Sequence, residues 1–350
     1  MKILVAGDSF VTVDDFKRAF STIESGSNNE VKYVKMDEQD RLTPSTDSEK
    51  RIREFLGSPG QLTSTLDSSE CLVVHGAPVT DAVLDASPKL KLVCCARGGP
   101  VNVDVLSATK RGIPVVTAPG KNADAVADLA LCFMIMLSRN IENALEHVRE
   151  IKVVGADNYE GNQFFGHELG GKVLGLIGYG RVGSKVAARA LGFGMSVLVY
   201  DPFVEKSKIE RPGITVTDLD RLLKNSDYVS LHAREAKEND NLLGRAQFAE
   251  MKKSAYFLNT ARPSMVDEVA LYDALKSNQI AGAAMDVLKY DPSRPTSPLL
   301  ALNNVIVTPH IGGATFETTT KGAEIVARQL ERYLSGLPLE TVINSEVLRK

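Results

Sequence analysis

Short apolar runs alternate with longer amphipathic stretches along almost the whole chain. Such runs, bounded by turn residues, are typical of strands that are buried on both faces, and their alternation with helices favours parallel sheets. In the first part of the chain the predicted strands are 2–6, 31–34, 71–74, 92–95 and 115–117. In the second part they are 173–177, 197–200, 228–231, 255–259, 281–287 and 305–307. The pattern therefore predicts an α/β fold.

The stretches between these strands have helical periodicity. Helices are predicted at 14–21, 47–56, 103–110, 184–191 and 316–334. A longer helix is predicted from about 123 to 147, and its almost continuous apolar stretch is typical of a helix that is buried on most faces. Clusters of Gly, Ser, Pro and Asn indicate loops at 25–29, 43–48 and 57–69.

The length of 350 residues is enough for roughly two domains. The six strands after residue 170 make one complete dinucleotide-binding sheet, and the last helix lies beyond it. One economical topology inserts a Rossmann dinucleotide-binding domain, 120–313, into a flavodoxin-like α/β substrate domain formed by 1–119 and 314–350. We expect the substrate to bind in the cleft between the two domains.

The stretch from Val173 to Asp201 carries the clearest chemical signal. An apolar strand enters a turn with Gly178, Gly180 and Gly183, a helix follows, and a second strand ends at Asp201. A dinucleotide site requires this order, because the glycines permit the turn, the approach of the pyrophosphate and the close packing of the helix. The carboxylate can accept hydrogen bonds from ribose hydroxyls and repels a 2′-phosphate. The pattern therefore favours NAD over NADP.

Three polar residues follow later strands of the same predicted sheet: Arg262, Asp291 and His310. Ligands of open α/β sheets bind outside the carboxyl ends of the strands, so these three residues are candidates for one site. Each also has a purely structural interpretation. Arg262 would be a surface charge, Asp291, which precedes Pro292, would be a turn residue, and His310 would be a histidine whose hydrogen bonds are satisfied within the fold. Their common position favours the shared site.

Composition and charge narrow the range of partners. The formal net charge is −3 and no basic block occurs, so neither nucleic acid nor an anionic membrane is an expected partner. The longest apolar run, 129–137, is too short to span a bilayer, and the first residues predict a strand rather than a signal peptide, so we expect a cytoplasmic protein. The spacing of Cys71, Cys94, Cys95 and Cys132 predicts buried thiols, with neither a disulfide framework nor a metal site.

Sequence motifs that point to one family are spread over nearly the whole chain. They are the eight segments 96–104, 120–128, 166–172, 178–183, 231–232, 259–262, 282–287 and 308–315. Together they resemble the D-2-hydroxyacid dehydrogenase family, which includes 3-phosphoglycerate dehydrogenase, glycerate and glyoxylate reductases and D-lactate dehydrogenase. The resemblance implies an NAD-dependent enzyme that interconverts a small D-2-hydroxy acid and its 2-oxo acid, and a homodimer.

The resemblance also implies roles for single residues. His310 would be the general acid/base, Arg262 would bind the substrate carboxylate and polarise the carbonyl, and Asp291 would stand where the family has a Glu that orients the histidine. The implied cofactor contacts are Gly178, Tyr179, Gly180, Arg181, Val182, Gly183, Asp201, His232, Asn239, Thr260, Ala261, Asp286 and Gly312. The implied substrate contacts are His75, Gly76, Arg97, Gly98 and Gly99. In these sets Asp286 would bond to the nicotinamide amide, and backbone N–H groups of 97–99 would hold the substrate carboxylate.

The chain departs from the family pattern at several of these positions. Asp291 is one methylene shorter than Glu, and Pro263 stands where the family prefers Gly. Arg234 and Asn239 replace a Pro and a Thr beside the adenosine side of the site. His75 stands where 3-phosphoglycerate dehydrogenases have an Arg, so a phosphate-binding arginine is missing there.

Two other functions stay open. A non-catalytic NAD-sensing protein, as in the corepressor branch of the family, is compatible with the altered glutamate position. A GDS-type hydrolase would use Ser9 of the Gly7-Asp-Ser9 stretch as its nucleophile, but that class needs an Asp three places before its catalytic His, and Val307 occupies that position. A tight turn after the first strand is the better interpretation of Asp8 and Ser9.

Overall fold

The computed structural model describes residues 1–25, 29–151, 161–289 and 296–349. The chain forms two compact units. Unit 1 consists of Met1–Asn122 and Ala314–Lys350, and unit 2 is Ala123–Gly313.

Unit 1 is built on a parallel sheet. Up to residue 122 its elements are β1 (Lys2–Gly7), α1 (Val13–Ala19), α2 (Ser21–Ser25), β2 (Glu30–Lys35), α3 (Asp47–Arg51), α4 (Pro59–Leu66), β3 (Cys71–Val74), α5 (Asp81–Asp85), β4 (Leu92–Cys95), α6 (Val105–Lys110) and β5 (Val115–Thr117). In the described part of the unit the strand order is β2-β1-β3-β4-β5, which is the flavodoxin-like order. The predicted fold of this unit is therefore confirmed.

Unit 2 contains a larger parallel sheet. Its elements are α7 (Ala123–Ser138), α8 (Ile141–Ile151), β6 (Val173–Ile177), α9 (Arg181–Gly192), β7 (Ser196–Tyr200), α10 (Lys206–Ile209), β8 (Ile214–Val216), α11 (Leu219–Asn225), β9 (Tyr228–Leu231), α12 (Arg245–Glu250), β10 (Tyr256–Asn259), α13 (Glu268–Lys276), β11 (Gly282–Met285) and β12 (Val305–Val307). Short 3-10 helices lie at Gly161–Phe164, Lys237–Asn239, Pro263–Met265 and Pro298–Ala301. The last helix, α14 (Phe316–Leu334), and a 3-10 helix at Ser345–Leu348 belong to unit 1.

Both sheets are covered on both faces, which explains why their strands read as continuous apolar runs. In β1, Ile3 and Val5 pack with α1 and α14, while Leu4 and Ala6 pack on the opposite side with α4 and α5. In unit 2 one core joins the sheet to α7 and α9, and the other joins it to α11, α12 and α13. The last helix returns to unit 1, as the sequence predicted, because its apolar face completes the unit 1 core.

Several predicted elements are corrected by the structure. The helix predicted at 123–147 is two helices, because Asn140 adopts a left-handed backbone conformation with φ 50° and ends the first of them. The predicted loop at 57–69 contains α4, which begins with Pro59 in its first turn, where the missing N–H costs nothing. The helix predicted at 47–56 ends at Arg51, since Ile52 is extended.

The sheet of unit 2 has a seventh strand in the described part of the chain, where six were predicted. The additional strand is β8, a three-residue edge strand beside β7. Its central residue, Thr215, is exposed, so no apolar run marks it in the sequence.

The cysteine prediction is correct for three residues and wrong for the fourth. Cys71, Cys94 and Cys95 are buried free thiols in the strands of unit 1. Cys132 is exposed, because it lies on the outer side of α7.

Candidate active site

Most of the predicted site residues of unit 2 follow strands at one edge of its sheet. The strand order is β12-β11-β10-β9-β6-β7-β8, with parallel pairing throughout the described strands. The chain proceeds from β6 to β7 and β8 on one side and then crosses to β9 on the other, so the switch point lies between β6 and β9. Open α/β sheets bind their ligands in the crevice at such a point.

The glycine turn after β6 lies directly against the end of β9. Gly178 has φ 97°, and a Cβ atom there would lie 2.6 Å from the backbone nitrogen of Ala233. A Cβ atom on Gly183 would overlap the carbonyl oxygen of Gly178, so α9 can approach the turn only because this position is glycine. Gly180 is the N-cap of α9, and a Cβ atom there would have no neighbour within 4 Å, so its backbone is accessible at the helix N-terminus.

Asp201 ends β7 and bonds to the glycine turn. Its Oδ2 accepts a hydrogen bond from the Tyr179 N–H at 2.7 Å, and its Oδ1 accepts one from the Phe203 N–H at 2.9 Å. A carboxylate oxygen has two acceptor sites, so each oxygen can still accept a hydroxyl donor. Tyr179 is buried, and its hydroxyl accepts a hydrogen bond from Arg211.

His232 follows β9 on the opposite side of the switch point. Its Nε2 is 2.8 Å from the Ser230 hydroxyl oxygen, and its backbone N–H donates to the Ile177 carbonyl oxygen. Burial of the ring lowers the pKa of His232 to about 4, so the imidazole is neutral at pH 7. Asn239 is the last residue of the 3-10 helix beyond, and its side-chain amide donates to the carbonyl oxygen of Arg234.

The turn after β10 presents Arg262 and is held by a buried amide. The Asn259 side chain accepts a hydrogen bond from the Ala261 N–H at 2.9 Å and donates one to the Arg262 carbonyl oxygen at 3.1 Å. The guanidinium group of Arg262 is partly exposed and donates to the Ala261 carbonyl oxygen. The Thr260 hydroxyl is buried and has no hydrogen-bond partner among the described residues.

The turn after β12 presents His310 and is held by Asp286. His310 is exposed and has φ 57°, an uncommon conformation for a residue with a side chain. The buried Asp286 carboxylate accepts hydrogen bonds from the Thr308 hydroxyl at 2.6 Å and from the N–H groups of Ile311 and Gly312, each at 2.8 Å. Three donors of one turn thus fix the backbone on both sides of the histidine.

These contacts identify site residues that the sequence analysis missed. Asn259 and Thr308 were not predicted to belong to the site. Each is a polar residue at the end of an apolar strand, a pattern in the sequence that could have identified them. Asp286 was assigned a nicotinamide contact, and the structure gives its carboxylate a second task in the His310 turn. Asp291 lies outside the described residues.

A second group of polar residues follows the strands of unit 1. The buried Asp8 accepts hydrogen bonds from His75 Nδ1 at 3.0 Å and from the Gly76 N–H at 2.7 Å, and also from the N–H groups of Phe10 and Val11. Burial opposes ionisation of Asp8, but these donors outweigh it and lower the pKa of the carboxyl group. Burial also lowers the pKa of His75. The ring is therefore neutral, with its proton on Nδ1, because a carboxylate only accepts.

Arg97, Gly98 and Gly99 follow β4 in the same unit. The Arg97 guanidinium group pairs with the Glu54 carboxylate and also donates to the Glu54 carbonyl oxygen. The N–H groups of Gly98 and Gly99 have no acceptor in the described part of the chain, so they remain available to a ligand. The Ser9 hydroxyl donates to Glu38 instead of to a histidine, which does not support a hydrolytic serine.

No helix among the described residues is both long and apolar enough to cross a membrane.

Comparison with known proteins connects these features. The model of the D-isomer specific 2-hydroxyacid dehydrogenase NAD-binding domain matches residues 131–312, which is more than half of the chain. The chain is 38% identical over 272 residues to the glyoxylate reductase of Korarchaeum cryptofilum, covering 78% of this chain and 81% of that protein. The chain belongs to the D-isomer specific 2-hydroxyacid dehydrogenase family.

Other members of this dehydrogenase family are similar in sequence or in structure. The D-3-phosphoglycerate dehydrogenase of Archaeoglobus fulgidus is 41% identical over 276 residues, which cover 79% of this chain and 51% of that protein. The chain thus spans about half the length of the phosphoglycerate dehydrogenases that it matches. The apo structure of D-lactate dehydrogenase from Escherichia coli superposes with a TM-score of 0.74 at 25% identity, covering 98% of this chain and 100% of that chain.

Membership of the dehydrogenase family gives the glycine turn and Asp201 their context. The matched domain is the family's NAD-binding domain, and it includes β6 to β12 with the complete edge described above. Unit 2 is therefore a nicotinamide-dinucleotide domain with the Rossmann arrangement, as the sequence predicted.

Proposed function

We propose that the chain is an NAD-dependent oxidoreductase that interconverts a D-2-hydroxy acid and its 2-oxo acid. One observation carries the proposal: an exposed histidine and a partly exposed arginine follow β12 and β10, at the carboxyl edge of a sheet that matches the family's NAD-binding domain. Both residues stand on turns that buried polar side chains hold in place. This arrangement supports His310 as a general acid/base and Arg262 as a cationic binding group at the same edge of the sheet.

The residues of unit 2 fit a dinucleotide. The Gly178 turn has no room for a side chain, the Asp201 carboxylate retains acceptor sites, and the Thr260 hydroxyl is buried without a partner in the described part of the chain. Gly180, Arg181, Val182 and Gly183 would hold the pyrophosphate at the N-terminus of α9, while Ala261, Gly312, His232 and Asn239 would line the remaining length of the cofactor. The Asp201 carboxylate disfavours a 2′-phosphate, so we propose NAD rather than NADP.

The protein groups then have separate tasks. When bound, the nicotinamide ring supplies or accepts the hydride. His310 donates a proton to the carbonyl oxygen during reduction and accepts the hydroxyl proton during oxidation. Arg262 binds the substrate carboxylate and polarises the carbonyl group, a task suited to a planar group that is always charged. We propose that Asp291 orients His310, on sequence alone.

Unit 1 would supply the other substrate contacts. The N–H groups of Gly98 and Gly99 have no acceptor among the described residues, and together with Arg97 they are suited to a carboxylate. His75 and Gly76 are held by Asp8 at the end of the neighbouring β3 strand. We propose that they contact the substrate beyond its reacting carbon.

The test is NADH oxidation with a panel of 2-oxo acids, with and without a second acidic group. We expect turnover of at least one of them. His310→Ala and Arg262→Ala should each lower kcat/KM by at least ~100-fold, the usual scale for a positioned acid/base. Tight NAD binding without turnover of any 2-oxo acid would instead support an NAD-sensing protein. A near-normal rate in either variant would remove that residue from the proposed mechanism.

We also propose a homodimer that forms through unit 2. Ile141, Leu145 and Val148 lie on one face of α8 and are 36%, 48% and 41% exposed. A groove of about 520 Å³ adjoins this face, and its lining includes Leu131 of α7 and Phe193 at the C-terminal end of α9. Leu145→Glu should convert a dimer into a monomer in sedimentation analysis, whereas the control Leu106→Glu, at an exposed position of α6, should not.

A further inference from the structure

Unit 1 contains a buried ammonium group, that of Lys121. Lys121 follows β5 and is only 7% exposed. Its Nζ atom is buried and has no hydrogen-bond acceptor in the described part of the chain. A buried charge without a partner is strongly unfavourable, so proteins rarely retain one unless something else compensates it.

The charged groups near Lys121 compensate its ammonium group only in part, because Asp8 favours the charged form but the effect of burial is larger. The Asp8 carboxylate is occupied by His75 and by three backbone N–H groups. Glu54 is paired with Arg97, whose own positive charge lies close enough to disfavour the Lys121 ammonium. Burial raises the pKa of the Cys95 thiol to about 11, so it carries no negative charge at pH 7.

The ammonium group lies beside a pair of stacked rings and a glycine of the last helix. The Nζ atom of Lys121 is 5.5 Å from the centre of the Phe10 ring, and Phe10 stacks on His75 at 5.1 Å. Gly322 of α14 leaves room for the lysine, because a Cβ atom there would lie 3.0 Å from Lys121 Cδ. Lys121 thus lies beside the Phe10–His75 pair.

The position in the sheet points independently to a ligand. In the order β2-β1-β3-β4-β5, the chain switches sides between β1 and β3. Asp8 follows β1, His75 follows β3, Arg97 follows β4 and Lys121 follows β5, so all four residues stand at the carboxyl edge. In flavodoxin-like sheets, ligands bind at this switch point.

We propose that Lys121 binds a second anionic group, a carboxylate or a phosphate, at the end of the substrate remote from the reacting carbon. Phe10 and His75 form one wall of this subsite. The assignment to a substrate rests on the proposed function, whereas the anion subsite itself does not. Such a subsite would determine substrate specificity, because the enzyme would prefer 2-oxo acids with two acidic groups to those with one.

The first test measures binding by calorimetry, in the presence of NAD. The probes are succinate and inorganic phosphate, each compared with butyrate, in the wild type, Lys121→Met and the control Lys110→Met. Lys110 is an exposed lysine of unit 1, so the control removes the same charge from a solvated position. We expect Lys121→Met to weaken binding of one of the two multiply charged anions by about tenfold or more, as for loss of a charged hydrogen bond, and Lys110→Met to leave it unchanged.

The second test measures selectivity in turnover. The ratio of kcat/KM for 2-oxoglutarate to that for 2-oxopentanoate tests a carboxylate, because the two acids have equal chain length. The ratio for 3-phosphohydroxypyruvate to hydroxypyruvate tests a phosphate. One of these ratios should exceed one in the wild type, fall about tenfold or more in Lys121→Met, and be retained in Lys121→Arg.

The two tests separate the two proposals. If no 2-oxo acid is reduced but Lys121 still determines anion binding, the proposed reaction fails and the subsite stands. If Lys121→Met and Lys110→Met bind all the probes as the wild type does, the subsite is refuted even for an active enzyme. Equal selectivity ratios in the wild type and Lys121→Met would likewise overturn it, and Lys121→Arg provides a charged variant should the methionine variant fail to fold.

Discussion

Asp286 uses most of its hydrogen-bonding capacity within the His310 turn. Its Oδ1 accepts from the Thr308 hydroxyl and the Ile311 N–H, and its Oδ2 accepts from the Gly312 N–H. Each carboxylate oxygen accepts about two hydrogen bonds, so only Oδ2 retains a free site for a cofactor amide. The same residue can therefore bind the nicotinamide and hold the turn that carries the acid/base.

Asp286→Asn should lower kcat/KM by about tenfold or more. The new amide NH₂ group is a donor, so it would face a donor of the His310 turn where the carboxylate oxygen accepted a hydrogen bond. The pH profile of kcat should change as well, since the turn positions His310. The control is Asp220→Asn, at an exposed position of α11, which should leave both unchanged. Equal rates and profiles in Asp286→Asn and the wild type would contradict the positioning role.

Lys121 should destabilise the unliganded protein. The pKa of Lys121 falls from 10.5 to about 8, because burial, together with a smaller effect of Arg97, outweighs the opposing effects of Cys95 and Asp8. The unfolded chain binds this proton more tightly, so the penalty is complete below pH 8 and disappears as the pH rises from about 8 to 10.5. Lys121→Met should therefore raise the free energy of unfolding at pH 7 by roughly 3 kcal/mol.

Denaturant unfolding at several pH values checks this effect. The difference in free energy of unfolding between Lys121→Met and the wild type should decrease above pH 8. Lys110→Met should not raise the free energy of unfolding to a comparable extent. A methionine variant that is no more stable than the wild type at pH 7 would mean that the ammonium group is already compensated. A gain in stability with a loss of anion affinity is the pattern expected of a residue retained for binding.

The sequence predicted residues better than it predicted their partners. The glycine turn, Asp201, Arg262 and His310 were predictable, because each stands next to an apolar run that marks a strand. The pairing of Asp8 with His75 was not, since it joins residues 67 positions apart and depends on β1 and β3 being neighbours. The burial of Lys121 is likewise a property of the assembled unit rather than of the polar segment around it.

Among the elements, strands were predicted more accurately than helices. The apolar runs of β3, β4, β5, β6, β9 and β12 match the structure at both ends, because burial on both faces gives an uninterrupted pattern. Helix ends depend on single residues with unusual backbone angles. Asn140 divides α7 from α8 at φ 50°, and residues other than Gly adopt such angles only in a particular context.

The start of α9 should be sensitive to any side chain at position 183. Gly183→Ala would force α9 away from the Gly178 carbonyl oxygen, so we expect at least a tenfold weaker binding of NAD, together with lower stability. The control is Gly192→Ala at the end of the same helix, where the new Cβ atom would have no neighbour within 4 Å. This variant should bind NAD normally and gain up to about 1 kcal/mol of stability. Calorimetric titration with NAD compares the two; equal affinities would show that the helix start tolerates a side chain.

At the scale of the whole molecule, the C-terminal segment is part of the unit 1 sheet region. The buried Asn344 side chain accepts a hydrogen bond from the Val115 N–H at 2.8 Å and donates to the Ile113 carbonyl oxygen at 2.9 Å and to the Thr109 hydroxyl at 3.0 Å. Val342 forms an antiparallel bridge with Val116 beside it. These contacts tie the end of the described chain to β5.

Asn344→Ala should lower the stability of unit 1 selectively, by about 2–4 kcal/mol, because it leaves buried backbone groups without partners. Scanning calorimetry with and without NAD distinguishes the units, since a ligand raises the melting temperature of the unit that binds it. The NAD-insensitive transition should move down in the variant, and the NAD-sensitive transition should stay. Equal displacement of both transitions would argue that the two units unfold together.

The return of α14 to unit 1 also sets an order for folding during synthesis. Ala323, Val326, Ala327 and Leu330 belong to the core on one face of the unit 1 sheet, so this core is incomplete until the ribosome has passed residue 330. Unit 2 is continuous in sequence and has all its residues by position 313. Until then only the N-terminal helices cover that face of the sheet, so the core of unit 1 can be completed only after the whole of unit 2 has been synthesised.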